Sequence, residues 1–226
     1  MYAYVAGNPL SNIDPLGLAV YLAGRDLNGV PVGTHIFLVL IPDNPGGFSK
    51  GITIGGNIIK PRSITFAGKK NIFVIGAHNV NGRLKVKPFE NADWTATKQY
   101  FAPLLFTNPL ASDFSPEFRG VTSNVCFIGD KSKSQDSLLI ENIIKSINNY
   151  IVNEAVQNIR YPAPLEQLQP GKGFINSNSW ANSVIDSVFS SVRGGRNFGG
   201  LDALSGNRLP AEYFQKNPAN LPKLNP

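Results

Sequence analysis

The chain has 226 residues, of which 42% are hydrophobic and 16% are charged, and this length suffices for one large domain or two small ones. No stretch approaches the ~18–20 uninterrupted apolar residues that cross a bilayer, and the N-terminus lacks the pattern of a signal peptide. The single Cys excludes an internal disulfide, and one Cys with two His cannot supply the roughly four ligands of a structural zinc site. The composition therefore predicts a globular domain without a transmembrane segment or a Cys/His metal site, and no metal or cofactor is expected.

The first eighteen residues carry a dense series of turn signals. Alternating aromatic and small residues are followed by Asn8-Pro9, Asp14-Pro15 and Gly17-Leu18, and Asx-Pro and Gly pairs are typical of turns. These dipeptides and their spacing resemble the end of the RHS repeat-associated core, where such a stretch closes a β-shell of repeats. The resemblance covers residues 1–18.

The RHS resemblance implies a processed, delivered protein. In that family the chain is cut after the Leu of this motif by an aspartyl protease activity of the core, and Asp14 matches one of the two catalytic aspartates. The second aspartate has no counterpart in residues 1–18, so this segment is not expected to cut itself. Cleavage after Leu18 would release residues 19–226 as a C-terminal toxin domain, secreted and delivered into a target cell by the parent RHS protein. The partners implied are the RHS shell (cocoon), a cognate immunity protein and an unknown target-cell substrate.

The toxin domain is basic. Asp14 is the only charged residue of the first eighteen, so residues 19–226 hold 21 basic and 14 acidic residues, a formal charge of +7. A basic surface suits nucleic acid, anionic lipid or an acidic protein equally. The Lys and Arg residues are scattered, without a basic stripe interleaved with aromatics, so a nucleic-acid partner is not expected.

The first half of the domain has the pattern of β-structure. The β-branched, apolar run Thr34–Ile41 lies between Gly33 and a Pro/Gly-rich turn and predicts a buried strand. Residues 34–87 are predicted to form one twisted antiparallel sheet, with further short strands at Ile52–Ile54, Ile58–Ile59, Ser63–Phe66, Ile72–Ile75 and Leu84–Val86.

The second half predicts helices. A short helix is expected near residues 92–101, followed by an apolar run at Val121–Ile128. Apolar residues recurring every three or four positions predict a helix at about 137–159, and a second main helix is expected at about 178–193. The Gly- and Pro-rich segment 196–226 is predicted to wrap the surface as an extended tail. The predicted class is α+β, a mostly antiparallel sheet over about 34–128 flanked by two main helices.

Ser177 is the predicted nucleophile. It lies at the start of the last helix, where unpaired backbone N–H groups and the helix dipole stabilise an alkoxide or an oxyanion. The backbone N–H groups of Ser177 and Asn178 are the expected oxyanion donors. His35, an imidazole on a buried strand, is the predicted general base.

The order of an early strand histidine and a late helix nucleophile resembles the circularly permuted papain-like superfamily of NlpC/P60 and lecithin:retinol acyltransferase relatives. In that family an Asn-Cys-x-x-Phe-type motif opens the nucleophile helix. Asn176-Ser177-Asn178-Ser179-Trp180 is similar to that motif, with Ser177 replacing the cysteine and Trp180 packing beneath. The resemblance implies hydrolysis or transfer at an ester, amide or thioester, with Asn176, Asn178 and Trp180 in support.

Other residues compete for roles in this site. The residue that would orient His35 is not decided by the sequence, and the candidates are Thr53, Asn57 and His78. Of these, His78 is expected near a turn at the surface. Ser177 also has the character of an ordinary helix cap. Cys126, within an apolar run, is expected to be a buried small hydrophobe.

Two other function classes compete with acyl chemistry. An ADP-ribosyltransferase would recruit Arg25, Ser63-x-Thr65 and either Glu166 or Glu212, and a non-enzymatic toxin would bind a target protein through its basic surface. A metal-dependent nuclease ranks third among the enzymes, because the two histidines are far apart in sequence.

Overall fold

A mostly antiparallel β-sheet forms the centre of the protein in a computed structural model that describes residues 20–27, 34–42, 48–65, 69–101, 121–124, 133–163, 166, 174–189 and 207–224. Helices cover both faces of the sheet, which confirms the predicted α+β class. In the described part of the chain no helix has the length and apolarity needed to span a bilayer.

The large sheet has six strands. Five of them follow the spatial order β5-β6-β2-β1-β8, and the sixth, β7, pairs with the C-terminal half of β6. A separate hairpin consists of β3 and β4. The strands are β1 (Val20–Asp26), β2 (Thr34–Leu40), β3 (Ile52–Ile54), β4 (Asn57–Ile59), β5 (Arg62–Thr65), β6 (Lys69–Val80), β7 (Arg83–Pro88) and β8 (Val121–Asn124).

Three details of the predicted sheet are wrong. The sheet begins at Val20 rather than at residue 34, because β1 pairs along its whole length with β2. The hairpin of β3 and β4 is a separate sheet, since its strands pair only with each other. Strand β6 extends over twelve residues, beyond the apolar run Ile72–Ile75 on both sides, because pairing with β5 at one end and with β7 at the other satisfies its backbone groups. Residues 125–128 of the predicted apolar run lie outside the described residues.

The alternation of side chains along β2 divides the core into two layers. Ile36, Leu38 and Leu40 contribute to the larger core, whereas Phe37 and Val39 contribute to a smaller core on the opposite face. This alternation follows from the two-residue period of a strand. Because β2 is buried on both faces, its sequence is a continuous apolar run, interrupted only at its start by Thr34 and His35.

Three helices pack on these layers. Helix α1 (Asn91–Phe101) covers the smaller core, while α2 (Lys133–Gln157) and α3 (Ser177–Phe189) contribute to the larger one. All three predicted helices are present. Helix α2 ends at Gln157, before the expected residue 159, since Asn158 adopts a left-handed φ of 53°. Residues 190–193 of the last predicted helix lie outside the described residues.

The predicted surface tail is partly a core element. Residues 211–214 form a 3-10 helix (Ala211–Phe214), and Leu209, Tyr213 and Phe214 are buried. The Asn153 side chain of α2 donates to the backbone carbonyls of Glu212, Tyr213 and Gln215. The tail therefore docks through apolar burial and hydrogen bonds that a scan for helical periodicity does not detect.

Candidate functional site

Four polar side chains from four different elements meet on the face of the sheet that α1 covers. Arg25 of β1 lies directly opposite His35 of β2 in the antiparallel ladder, and residues in that position share a face. His78 comes from β6, and Asp93 comes from the first turn of α1. We call these four residues the Asp93 cluster.

The Asp93 carboxylate is the centre of the cluster. Its Oδ2 atom lies 3.2 Å from His35 Nε2 and 2.9 Å from His78 Nε2. Its Oδ1 atom accepts a hydrogen bond of 2.7 Å from Arg25 Nε. The two imidazole rings lie beside each other with centroids 4.4 Å apart. Each oxygen of one buried carboxylate is thus engaged by positively polarised groups, as a buried charge requires.

The electrostatics of the cluster favour an ionised carboxylate beside a neutral His35. Burial lowers the pKa of His35 below its ordinary value, although the nearby Asp93 carboxylate opposes this effect. Burial by itself raises the pKa of Asp93, but the attraction of His35 and hydrogen bonds from both histidines hold that pKa well below the ordinary range. While no ion is bound, the ionised Asp93 accepts a hydrogen bond from each Nε2 atom.

Gly76 provides the space in which the cluster forms. A Cβ atom at this position would lie 2.6 Å from His78 Nε2, 2.7 Å from Asp93 Oδ2 and 3.2 Å from His35 Nε2. Any side chain at residue 76 would therefore displace the three atoms that converge there. The backbone conformation at residue 76 does not itself require glycine, because its φ lies outside the left-handed region. The lack of a side chain is needed for the contacts of the cluster.

The cluster is only partly sealed. The side chains of Arg25 and His78 are each 13% exposed, whereas those of His35 and Asp93 are 3% and 0% exposed. Two imidazoles and a carboxylate can move protons, and His35, His78 and Asp93 also offer three metal-ligand atoms within 4.8 Å of one another. Both capacities can activate a water molecule.

The residue that caps α3 is Asn176, the neighbour of Ser177. The Asn176 side chain accepts hydrogen bonds from the backbone N–H groups of Asn178 and Ser179 at 3.0 Å, as an N-cap residue does. The Asn178 N–H, one of the two expected oxyanion donors, is therefore already paired within the cap. Ser177 is buried, and its hydroxyl donates to Asn178 Oδ1 at 3.3 Å.

Asn178 and Trp180 are structural supports of α3. The Asn178 amide donates to the Thr34 carbonyl and accepts from the Ile36 N–H, both at 2.8 Å. It therefore binds the backbone of β2 on both sides of His35. Trp180 is fully buried in the larger core and meets Tyr150 edge-on.

The His35 side chain lies in one layer, and the helix that begins at Ser177 packs on the other. The side chain of His35 alternates with that of Ile36 and joins the α1 face, where it stacks on Phe37. Helix α3 packs instead on the layer of Ile36 and Leu38. The described contacts bring His35 to Asp93 and His78 and do not bring it to Ser177, so the Ser177–His35 pair stays a prediction without support from this geometry.

His78 is not the surface residue that its sequence context suggested. Of the three groups considered as partners of His35, His78 lies beside it, while Thr53 and Asn57 belong to the separate hairpin. The two histidines, far apart in sequence, become neighbours because β6 runs past its apolar segment.

The residues of the transferase hypothesis are dispersed. Arg25 is bound to Asp93, Ser63 and Thr65 lie on the outer strand β5, and Glu166 pairs with Arg160. Glu212 belongs to the 3-10 helix of the tail. Asp14, Pro15, Gly17, Leu18 and Cys126 lie outside the described residues.

The sequence analysis did not select Asp93 as a candidate site residue. An acidic residue in the first turn of a helix is ordinary, because it interacts favourably with the helix dipole. Its burial in the folded protein makes an acidic side chain costly unless it has partners, and the polar sequence of α1 gives no sign of that burial.

No protein family, curated protein or solved structure matches this chain.

Proposed function

We propose that this chain is the C-terminal effector domain of an RHS-type protein and acts as a hydrolase through the Asp93 cluster. The RHS-like motif of residues 1–18 supports the role of a delivered toxin. The convergence of two imidazole Nε2 atoms on one oxygen of a buried carboxylate supports the location of the chemistry.

The cluster combines the parts needed to activate water. Asp93 stays ionised and fixes both rings, as the buried aspartate does in hydrolases that use an Asp–His pair. Arg25 holds the other carboxylate oxygen and, at 13% exposure, lies at the accessible edge of the site. A guanidinium in this position can stabilise negative charge that develops on an ester, amide or phosphoryl substrate.

Growth of cells that express the full chain tests this proposal. Inducible expression in bacterial and in yeast cells is expected to arrest growth in at least one of them, and Asp93→Asn and His78→Asn are expected to restore survival by about 100-fold or more. Glu154→Gln is the matched control. It changes another buried carboxylate that pairs with a cation, Lys85, on the α2 side.

The competing hypotheses predict different outcomes in the same experiment. Acyl chemistry at Ser177 predicts that Ser177→Ala abolishes toxicity while Asp93→Asn does not. Absence of growth arrest by the parent chain in both cell types would contradict the effector assignment.

Non-enzymatic binding has one specific observation in its favour. The guanidinium of Arg62 lies 4.5 Å from the ring centre of Phe89 and 5.2 Å from that of Trp94, and Lys98 lies 6.0 Å from Trp94 on the same helix. These cations form an exposed basic and aromatic surface near α1. Binding through this surface predicts that Arg62→Glu with Lys98→Glu removes toxicity and that Asp93→Asn preserves it.

A further inference from the structure

We infer that His35, His78 and Asp93 bind one divalent transition-metal ion of the zinc class. The three residues come from β2, β6 and α1, and their ligand atoms all lie within 4.8 Å of one another. Two imidazole nitrogens and one carboxylate oxygen are the protein ligands of a common type of catalytic zinc centre, in which a fourth position is left for water.

The distances in the cluster fit an ion of this size. Zinc bonds to nitrogen and oxygen are about 2.0–2.2 Å, so neighbouring ligand atoms around a tetrahedral ion lie roughly 3.3–3.5 Å apart. Asp93 Oδ2 lies 3.2 Å from His35 Nε2 and 2.9 Å from His78 Nε2. Each imidazole nitrogen therefore needs to move only a few tenths of an ångström away from Asp93 Oδ2 for the two distances to match those around a zinc ion.

Gly76 leaves room on the sheet side of the three ligand atoms. The position where its Cβ would stand lies within 3.2 Å of all three atoms. The absence of a side chain there allows the ligand atoms to adjust around an ion without a steric conflict.

Arg25 is compatible with the ion because it uses the other carboxylate oxygen. Its Nε atom binds Oδ1 at 2.7 Å, and both imidazoles approach Oδ2. Outer hydrogen bonds of this kind orient a ligating carboxylate. Coordination requires each neutral imidazole to carry its proton on Nδ1, so that the Nε2 lone pair faces the ion.

The chemistry of the donors selects the class of metal. Nitrogen ligands suit zinc and its transition-metal neighbours, whereas magnesium and calcium prefer oxygen ligands. A bound zinc ion lowers the pKa of its water and would thereby supply the nucleophile of the proposed hydrolase. The catalytic role of the ion rests on the proposed function, whereas its binding does not. Binding itself is measured without any substrate.

Zinc binding by the full chain, produced without a histidine tag, tests the inference. After dialysis against micromolar zinc, the parent chain is expected to retain one equivalent. Cobalt in place of zinc is expected to give the visible absorption of a tetrahedral site. Because the chain has two histidines, ¹⁵N spectra of the imidazoles follow both ligands individually, and both ring signals are expected to shift together during the zinc titration.

Matched variants identify the ligands. Asp93→Asn and His78→Asn are expected to weaken zinc binding by more than about 100-fold, while Glu154→Gln retains the affinity of the parent chain. Folding of each variant is checked by circular dichroism, and the imidazole spectra of the parent chain decide the question where a variant does not fold.

Failure to retain zinc, or retention of equal affinity in Asp93→Asn and His78→Asn, would overturn the metal site. If Asp93→Asn loses toxicity and the parent chain binds no zinc, the metal site is overturned and the proposed function stands as a hydrolase without a metal. Stoichiometric zinc binding with toxicity unaffected by these variants would instead overturn the proposed function.

Discussion

Gly76 is the residue on which the Asp93 cluster depends most directly. Gly76→Ala places a methyl group less than 3 Å from His78 Nε2 and Asp93 Oδ2, within the range where atoms must move apart. We expect this variant to separate the two imidazoles, to reduce the proposed toxicity about as strongly as Asp93→Asn, and to remain folded. Growth assays and imidazole ¹⁵N spectra measure the two effects.

Gly82→Ala provides the contrasting change in the turn between β6 and β7. Gly82 has a left-handed φ of 77°, and a Cβ there would meet no atom within 4 Å. This variant should lose roughly 1 kcal/mol of stability through backbone strain and keep the proposed toxicity of the parent chain. Unchanged imidazole signals in Gly76→Ala would contradict the role assigned to that glycine.

At the scale of elements, two asparagines attach helices to strands by the same pair of hydrogen bonds. Asn178 of α3 bonds the Thr34 carbonyl and the Ile36 N–H, and Asn148 of α2 bonds the Thr53 carbonyl and the Gly55 N–H, each at 2.8 Å. The Asn178 bonds are buried and those of Asn148 are exposed. Water can therefore replace the hydrogen bonds of Asn148, whereas it cannot replace those of Asn178.

This difference predicts unequal costs for the same substitution. Asn178→Ala leaves a buried donor and a buried acceptor unpaired and is expected to lower the free energy of unfolding by about 2–4 kcal/mol. Asn148→Ala is expected to cost less than about 1 kcal/mol. Urea unfolding of both variants measures the difference, and equal losses would show that burial does not set the strength of the attachment.

At the scale of the whole molecule, the cluster couples stability to pH. His35 has a lowered pKa in the folded state because it is buried, so between that pKa and the unfolded value of about 6.5 the unfolded chain binds the extra proton. Stability must therefore fall as the pH decreases below about 6.5. The lowered pKa of Asp93 adds a further loss below its ordinary value of 3.8.

Urea unfolding at a series of pH values, in the presence of a chelator, measures this coupling. One proton contributes a slope of at most about 1.4 kcal/mol per pH unit. His35→Gln removes the titrating group and should flatten the curve between pH 5 and about 6.5. A parent chain whose stability is constant over that interval would contradict a neutral, buried His35.

The sequence by itself determined the α+β class and the elements with a strong local pattern. The buried strand β2 and the helix α2 follow from apolar runs and periodicity, which act over a few residues. The same local reasoning missed β1, where Gly24 and Arg25 weaken the strand signal, and the docking of Tyr213 and Phe214 in the tail.

Only the tertiary structure decided where the candidate site lies. Strand pairing places Arg25 opposite His35, and the extension of β6 places His78 beside His35. The packing of α1 then directs Asp93 between them. Each residue taken alone has an ordinary explanation in the sequence, and they become a site because long-range pairing, which no local pattern encodes, brings four separate elements to one face of the sheet.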